Sequence, residues 1–461
     1  MGTDKKEKYK IDMCNGPVLR KMLRFTIPLI CSGLLQLLFH AADIVVVGRF
    51  AGDHSMGAVG ATSSLINLLT NLFIGLSVGA NVVAARHYGA KQESELSKTV
   101  HTSIFLAVVS GLLMTVVGVF GAGLILTRMG TPDKILPLAT VYLRVFFAGM
   151  LANMIYNFGA ALLRAVGDTR RPLYYLFISG ILNVVLNLIF VILLHMDVAG
   201  VALATVLSQC LSAFLVLRCL MKEEGGIKLI LRQVRPDRRK VAEIVHVGLP
   251  AGVQGTLFSL SNVVIQSAVN SFGEITVSGN SAASNIEGFV YVAMNSFYQA
   301  TLAFASQNYG VGQFRRILRG LFTGLACVTV TGLVLGNAVY LGGEFLLHIY
   351  SDSPAVIAAG MRRLSIICVS YALCGIMDVC VGAIRGIGYS VMPMIVSLLG
   401  ACGFRLLYLA TVFRMERFHV IETVYLSYPL SWLITIIAHV VCLTIVYRRA
   451  VKRRNGGMEH A

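Results

Sequence analysis

The first long apolar segment of the chain contains an acid. It is Asp43, in the run Gln36-Leu-Leu-Phe-His40-Ala-Ala-Asp43-Ile-Val-Val-Val-Gly48-Arg49. An Asp at the centre of a membrane helix costs about 2.5–3.5 kcal/mol on insertion scales. A chain that keeps one usually uses it to handle a proton, an ion or a substrate. The plainer alternative is a carboxyl held by hydrogen bonds near a helix end. Only two other acids lie well inside apolar segments, Glu287 and Asp378. Carboxyls on three separate segments, with no intramembrane Lys beside them, suit reversible protonation or cation binding.

Polar residues recur at helical spacing further along. Asn183 and Asn187 stand at i, i+4 and share one helix face. Thr205 and Gln209 repeat that spacing on the next segment, with Ser208 beside them. Their oxygens can pair with Asp43 or help to ligate a hard cation such as sodium. Ordinary interhelical hydrogen bonding is the competing reading. His40, one turn before Asp43, can relay a proton or simply pack.

These residues need a membrane to give them meaning, and the composition supplies it. The 461 residues are 56% hydrophobic and only 13% charged, with mean hydropathy +0.76. A soluble domain carries about 25% charged residues. Repeated apolar runs of about twenty residues imply a polytopic membrane protein. No alternating barrel pattern appears, which leaves an α-helical bundle. The expected spans are 24–47, 57–85, 99–127, 134–163, 173–195 and 198–220, then 246–270, 279–307, 319–349, 355–384, 392–413 and 422–448.

Charge orients the bundle. With a cytoplasmic N-terminus, 30 of the 39 Lys and Arg fall in the tails and inner loops and five in the outer loops. That bias predicts both termini inside. The net charge of +17 therefore reflects topology, and no nucleic-acid partner is expected. The first residues are polar and Lys-rich, and no cleavable signal peptide is expected there. The charge run within 222–240 reads as a solvated cytoplasmic loop. The ten Cys are scattered without a CxxC, which suggests neither a metal knuckle nor a disulfide framework.

The two halves repeat each other. Leu163-Arg164-Ala-Val-Gly167 with Pro172 matches Ile384-Arg385-Gly-Ile-Gly388 with Pro393, and Tyr88-Gly89 matches Tyr309-Gly310, all at an offset of 221. Ile27-Pro28 matches Leu249-Pro250 one residue further on. Six spans per half is even, so the halves should be related by a pseudo-two-fold axis along the membrane normal. The expected fold is all-α, with twelve transmembrane helices in two six-helix lobes around a central cavity. The expected division is a tail at 1–23, an N-lobe at 24–220, a linker at 221–245, a C-lobe at 246–448 and a second tail at 449–461. Pro28 and Pro250 either kink their helices or sit harmlessly in a first turn. Gly75-Leu-Ser-Val-Gly79 says that helices pack closely. Arg144, Arg362 and Arg363 are expected to snorkel outward, which leaves Arg405 as the one arginine deep in a span.

No GxSxG, HExxH, Asp-rich prenyl-diphosphate motif or phosphate-cradling GxxxxGK[ST] occurs, so no enzymatic activity is expected. On Ile27-Pro28, the Gln36 to Arg49 helix, Ala58-Val59-Gly60-Ala61, the paired Leu163 and Ile384 motifs and Val198-Ala-Gly-Val-Ala-Leu-Ala-Thr205, the chain resembles the multidrug and toxic compound extrusion (MATE) family, in its DinF-like bacterial branch. The resemblance covers residues 15 to 450. It implies alternating-access export of bulky cationic or amphipathic compounds in exchange for protons or sodium ions; apart from the resemblance, a monomer in the plasma membrane without a cofactor is expected.

It also carries the family's coupling site over to Asp43, Asn183, Asn187 and Thr205, the set at which a transient sodium would sit. Many members have Asp where this chain has Asn187, so Asp43 is the site's sole carboxylate and protons are favoured. Gln36, His40 and Gln209 are further candidate contacts, and Glu287 and Asp378 candidate substitutes for a C-lobe acid. Two alternatives remain. A flippase of the wider superfamily, acting on an anionic lipid-linked precursor, should want several deep arginines. An integral membrane enzyme acting on lipid would need a catalytic cluster.

Overall fold

The computed structural model describes residues 9–50 and 53–458. Among them the regular structure is entirely helical. The helices are α1 Val18–Phe50, α2 Asp53–Gly89, α3 Glu93–Arg128, α4 Leu136–Ala148, α5 Met150–Ala165, α6 Arg170–Asn187 and α7 Asp197–Lys222. They continue with α8 Arg238–Asn270, α9 Glu274–Val311, α10 Phe314–Leu341, α11 Gly343–His348, α12 Pro354–Ile367, α13 Tyr371–Gly386, α14 Val391–Ser397, α15 Phe404–Thr411 and α16 Ile421–Met458. Among the described residues nine helical stretches are long and apolar enough to cross a membrane. Two further spans are bent pairs, α4 with α5 and α12 with α13. The twelfth, α9, is the polar one, with Asn280, Ser284, Glu287 and Asn295 along its length. Every expected span is present, and most run several residues past the drawn limits.

The internal repeat is visible in the local geometry. The bent pairs α4–α5 and α12–α13 each turn by 47°. α3 and α10, α5 and α13, and α6 and α14 each begin 221 residues apart. The repeated Arg-x-x-Gly motif is a helix C-cap: Gly167 and Gly388 take φ of +88° and +100°, conformations that side chains with a Cβ resist. Asp168 N–H bonds to Leu163 O at 2.9 Å and Tyr389 N–H to Ile384 O at 3.3 Å, the same closing bond in each copy. Lys91 and Gly312 form a second matched pair of left-handed caps, at φ of +56° and +75°.

The chain divides into two compact units. Unit 1 is 31–252 together with the short segment ending at Asp12, and unit 2 is 13–30 together with 253 onward. The division therefore falls within α1 and α8 rather than in the polar linker, in each case two residues beyond the helix's proline, Pro28 or Pro250. Both prolines are well inside their helices, which removes the first-turn alternative. Each lacks the N–H that would bond to the carbonyl four residues back.

Unit 1 packs around Val47, Ala58, Leu126, Leu143, Phe147 and Met150, all buried. In unit 1, α2 and α8 cross where Gly75 and Gly79 face Gly248 and Gly252, and a Cβ at any of the four would overlap backbone atoms of the other helix. Unit 2 packs around Met294, Phe297, Val328, Val379 and Tyr425. The ten cysteines form no disulfide. Cys31 lies exposed, whereas Cys368 and Cys442 are buried.

The linker corrects one expectation. It is not a solvated loop throughout, because Ile227 and Leu229 are each only 2% exposed and join Leu96, Val100 and Leu220 in a core cluster. Leu229 N–H bonds to Leu220 O at 3.0 Å and Ile230 N–H to His101 Nε2 at 3.0 Å. Within Ile227-Lys-Leu-Ile-Leu231 only Ile227 and Leu229 turn inward, while Lys228, Ile230 and Leu231 are exposed, and flanking charges hide that short pattern. Arg232, Arg235, Arg238 and Arg239 do remain exposed.

Candidate cation-coupling site

Helix α6 is positioned by the loop before it. Asp168 accepts the N–H groups of Arg170 and Arg171 at 3.1 Å each and pairs with the Arg171 guanidinium. Arg171 also pairs with Glu223, which takes Lys10 at 2.8 Å. This anchors the start of α6 to the end of α7 and to the N-terminal segment. Within unit 1, α1 then approaches α6 closely at Gly180, where a Cβ would overlap the ring of Phe39. Phe39 is one turn before Asp43, so this approach brings the carboxylate to the polar face of α6.

That face forms a chain of hydrogen bonds. Asn187 Nδ2 donates to Asp43 Oδ1 and, at 3.3 Å, to Asn183 Oδ1. Asn183 Nδ2 donates to Thr205 Oγ1 at 3.3 Å, and Thr205 Oγ1 donates to Val201 O at 3.0 Å. Asn187 is fully buried and Asn183 nearly so, while Asp43 and Thr205 are half-buried. Asp43 makes no ion pair among the described residues. The buried Oδ1 of Asn187 has no hydrogen-bond partner. Immediately after Asn187 the helix widens to a π-turn, Leu188–Leu193, a feature frequent at functional sites.

The four residues expected to form the coupling site, Asp43, Asn183, Asn187 and Thr205, are thus brought together. The others are not. Gln36 and His40 lie on the exposed face of α1, and neither they nor the Gln209 side chain bonds to the Asp43 chain. One neighbour was missed. Tyr142 on α4, buried, lies within electrostatic reach of Asp43. In sequence it is one aromatic in an apolar run, with no spacing signal to mark it.

Glu287 and Asp378 lie in unit 2, on different terms. Glu287 is bound on both carboxylate oxygens by Arg363, at 2.9 and 2.8 Å, and Asn280 Oδ1 takes a third Arg363 nitrogen at 2.7 Å. Arg363 is 6% exposed, so it does not snorkel; Arg144 and Arg362 do lie on the surface. Arg385 is also buried, bonding to Tyr298 Oη at 2.9 Å and Gln254 Oε1 at 2.7 Å. Arg405 is therefore not the only deep arginine. Asp378 makes no hydrogen bond or ion pair among the described residues. No cluster of three or more His, Cys, Asp or Glu that could hold a metal occurs among them either.

Comparison with known proteins accords with this architecture. The MatE family model matches twice, at residues 28–189 and 250–411, which are the two halves of the repeat. The chain is 26% identical to the probable multidrug resistance protein YpnP of Bacillus subtilis, over 84% of this chain and 87% of that protein. It is 25% identical to the probable multidrug resistance protein NorM of Thermotoga maritima, over 85% of each. It is 20% identical to the multidrug export protein MepA of Staphylococcus aureus, over 81% of this chain and 82% of that one. A crystal structure of a MATE protein in complex with MaL6 shares the fold with a TM-score of 0.88, at 21% identity over 96% of this chain and 98% of that one. The outward-facing conformation of a multidrug resistance MATE family transporter gives 0.86, at the same identity and coverage. A family model covering both halves of the repeat decides the class: the chain belongs to the MatE family and is a multi-span membrane transporter, not an enzyme.

Proposed function

We propose that this transporter exports small organic compounds across the plasma membrane in exchange for a cation bound at Asp43. The observation that carries the reading is the buried chain Asp43–Asn187–Asn183–Thr205, which joins α1 to α6 and α7. Neutralising Asp43 changes what Asn187 can donate to, and so changes how α1 packs on α6. Substrate and cation then favour opposite conformations, as alternating access requires. The moving lobes are the repeat halves 24–220 and 246–448, joined through 221–245, with both tails cytoplasmic. The relatives' names, multidrug resistance and multidrug export proteins, support small organic substrates; bulky, cationic or amphipathic compounds moved by a monomer are the reading proposed.

The coupling ion is the proton. One carboxylate gives sodium a single charge to bind, and Asn187 presents its amide N–H to that carboxylate. One observation favours sodium as a second reading: the orphan Asn187 Oδ1 is a ligand without a partner. The reading is tested by efflux of a fluorescent cation such as ethidium from proteoliposomes under an imposed gradient. Asp43→Asn loses gradient-driven efflux; full gradient-driven efflux by the variant sinks the role of Asp43.

A further inference from the structure

A cleft of about 440 Å³ lies in unit 1, where the linker crosses the start of α3. That volume is within the range of small-molecule sites, roughly 300–1,000 Å³. α3 contributes Lys98, His101 and Thr102 to its walls, and the end of the linker with the first residue of α8 contributes Arg235, Asp237 and Arg238.

The floor is committed to holding the linker. His101, 4% exposed, accepts the Ile230 N–H on Nε2 at 3.0 Å, and its Nδ1 lies 2.7 Å from Ser97 O. Thr102 Oγ1 accepts the Asp237 N–H at 3.1 Å. Asp237 Oδ1 in turn accepts the N–H groups of Arg239 and Lys240 at 3.0 Å each, which caps α8. The rim is not committed. Arg235 and Arg238 are exposed and make no hydrogen bond or ion pair among the described residues. Lys98, also exposed, is 2.8 Å from Glu95.

Three cations therefore face one carboxylate on these walls. The charges just behind them do not change that surplus. Glu95 and Glu243 are matched there by Lys240, which pairs with both at 2.8 and 3.2 Å, and by Arg239, at 3.2 Å from Glu243. Free guanidinium forks beside a lysine match the several oxygens of a phosphate.

The place of the cleft says which phosphate. Lys98 precedes the apolar run that begins at Ile104 by six residues, about 9 Å along α3. On the same helix face follow Val109, Leu112, Val116 and Phe120, between 45% and 80% exposed. In a multi-span membrane protein such a stripe faces lipid tails, so the cleft stands over it at the level of the headgroups, where basic pockets meet anionic lipids.

We propose that the cleft binds the headgroup of an anionic phospholipid. The phosphate lies on the guanidinium groups of Arg235 and Arg238 with Lys98 beside it, and the acyl chains run along the stripe from Val109 to Phe120. The bound lipid holds the linker and the start of α8 at the bilayer edge. Binding does not depend on the export reading above.

The full chain, purified in detergent, is titrated with phosphatidylglycerol or with phosphatidylcholine of the same acyl chains, and bound lipid is counted by native mass spectrometry. One phosphatidylglycerol should bind per chain at a concentration at least about tenfold below that for phosphatidylcholine. Glycerol 1-phosphate, which has a phosphate but no acyl chains, should not displace it at equal concentration. Arg235→Gln with Arg238→Gln should abolish the preference, and Arg235→Lys with Arg238→Lys should retain most of it. Arg414→Gln with Arg417→Gln removes the same charge from the exposed segment before α16 and should leave the preference unchanged. Equal binding of the two lipids by the unaltered protein overturns the proposal, and this comparison needs no variant to fold. Displacement by glycerol 1-phosphate overturns it in favour of a soluble phosphate compound. A preference that survives Arg235→Gln with Arg238→Gln, or that falls as far in Arg414→Gln with Arg417→Gln, overturns it as well.

Discussion

Asn187 reaches Asp43 from 144 positions along the chain and donates its amide nitrogen to the carboxylate, while its own carbonyl oxygen stays buried and unpaired. One side chain therefore contacts the Asp43 carboxylate through its nitrogen and leaves its oxygen without a partner. Asn187→Asp places a second carboxylate at this position and removes the donor. Sodium should then bind where it formerly did not compete. The expected outcome is transport stimulated at least about tenfold more by a sodium gradient than in the unaltered protein. It is checked by dye efflux in proteoliposomes at fixed pH with sodium or choline outside.

Gly180 sets how closely α1 can lie on α6. A methyl group there meets the Phe39 ring. Gly180→Ala should push α1 outward and lengthen the Asp43–Asn187 contact, at a cost of about 1–3 kcal/mol for overpacking. Transport should fall while expression and membrane insertion persist. Gly180→Ala combined with Phe39→Leu, which makes room, should recover activity. Transport assays on the single and double variants check this.

The Glu287–Arg363 pair is buried on both sides. Removing one partner leaves an uncompensated charge, so Glu287→Gln and Arg363→Met should each lower stability by about 3–5 kcal/mol. The double change Glu287→Leu with Arg363→Met should cost much less than the sum. Thermal unfolding in detergent checks the non-additivity. A small effect for each single variant would show that water reaches the pair.

How far the sequence carried can be judged from these residues. The spans were legible because twenty-residue apolar runs have few other uses, and the repeat because its motifs bear the caps at Gly167 and Gly388. The chain from Asp43 to Thr205 was legible in part, since i, i+4 spacing puts Asn183 and Asn187 on one face. The Glu287–Arg363 pair was not. Its partners lie 76 residues apart on different helices. Arg362 and Arg363 are adjacent in sequence yet about 100° apart around a helix, so one is exposed and the other buried. Helix phase decides that, and composition is blind to it. The linker misled for the opposite reason, because its charges outnumber the few apolar residues that dock.

Outside the membrane, Glu223 provides a pH test. Burial pushes its carboxyl upward, but the bonds from Lys10 and Arg171 outweigh this and hold it below the ordinary carboxylate value. A depressed folded-state pKa contributes stability that is present above the unfolded value of about 4.3 and is lost as pH falls through the folded value. Stability should therefore decline below about pH 4, and Glu223→Gln should be less stable at neutral pH and lose part of that acid dependence. Melting temperatures of both proteins between neutral and acidic pH check it.

The central claim is that one carboxylate couples cation movement to export, and it is tested most directly by following protons themselves. Proteoliposomes carrying a pH-sensitive dye inside are given ethidium with no sodium present. The unaltered protein should move protons opposite to ethidium in a fixed ratio, and Asp43→Asn should exchange ethidium across the membrane with no proton signal. Proton movement by Asp43→Asn equal to that of the unaltered protein would contradict the account.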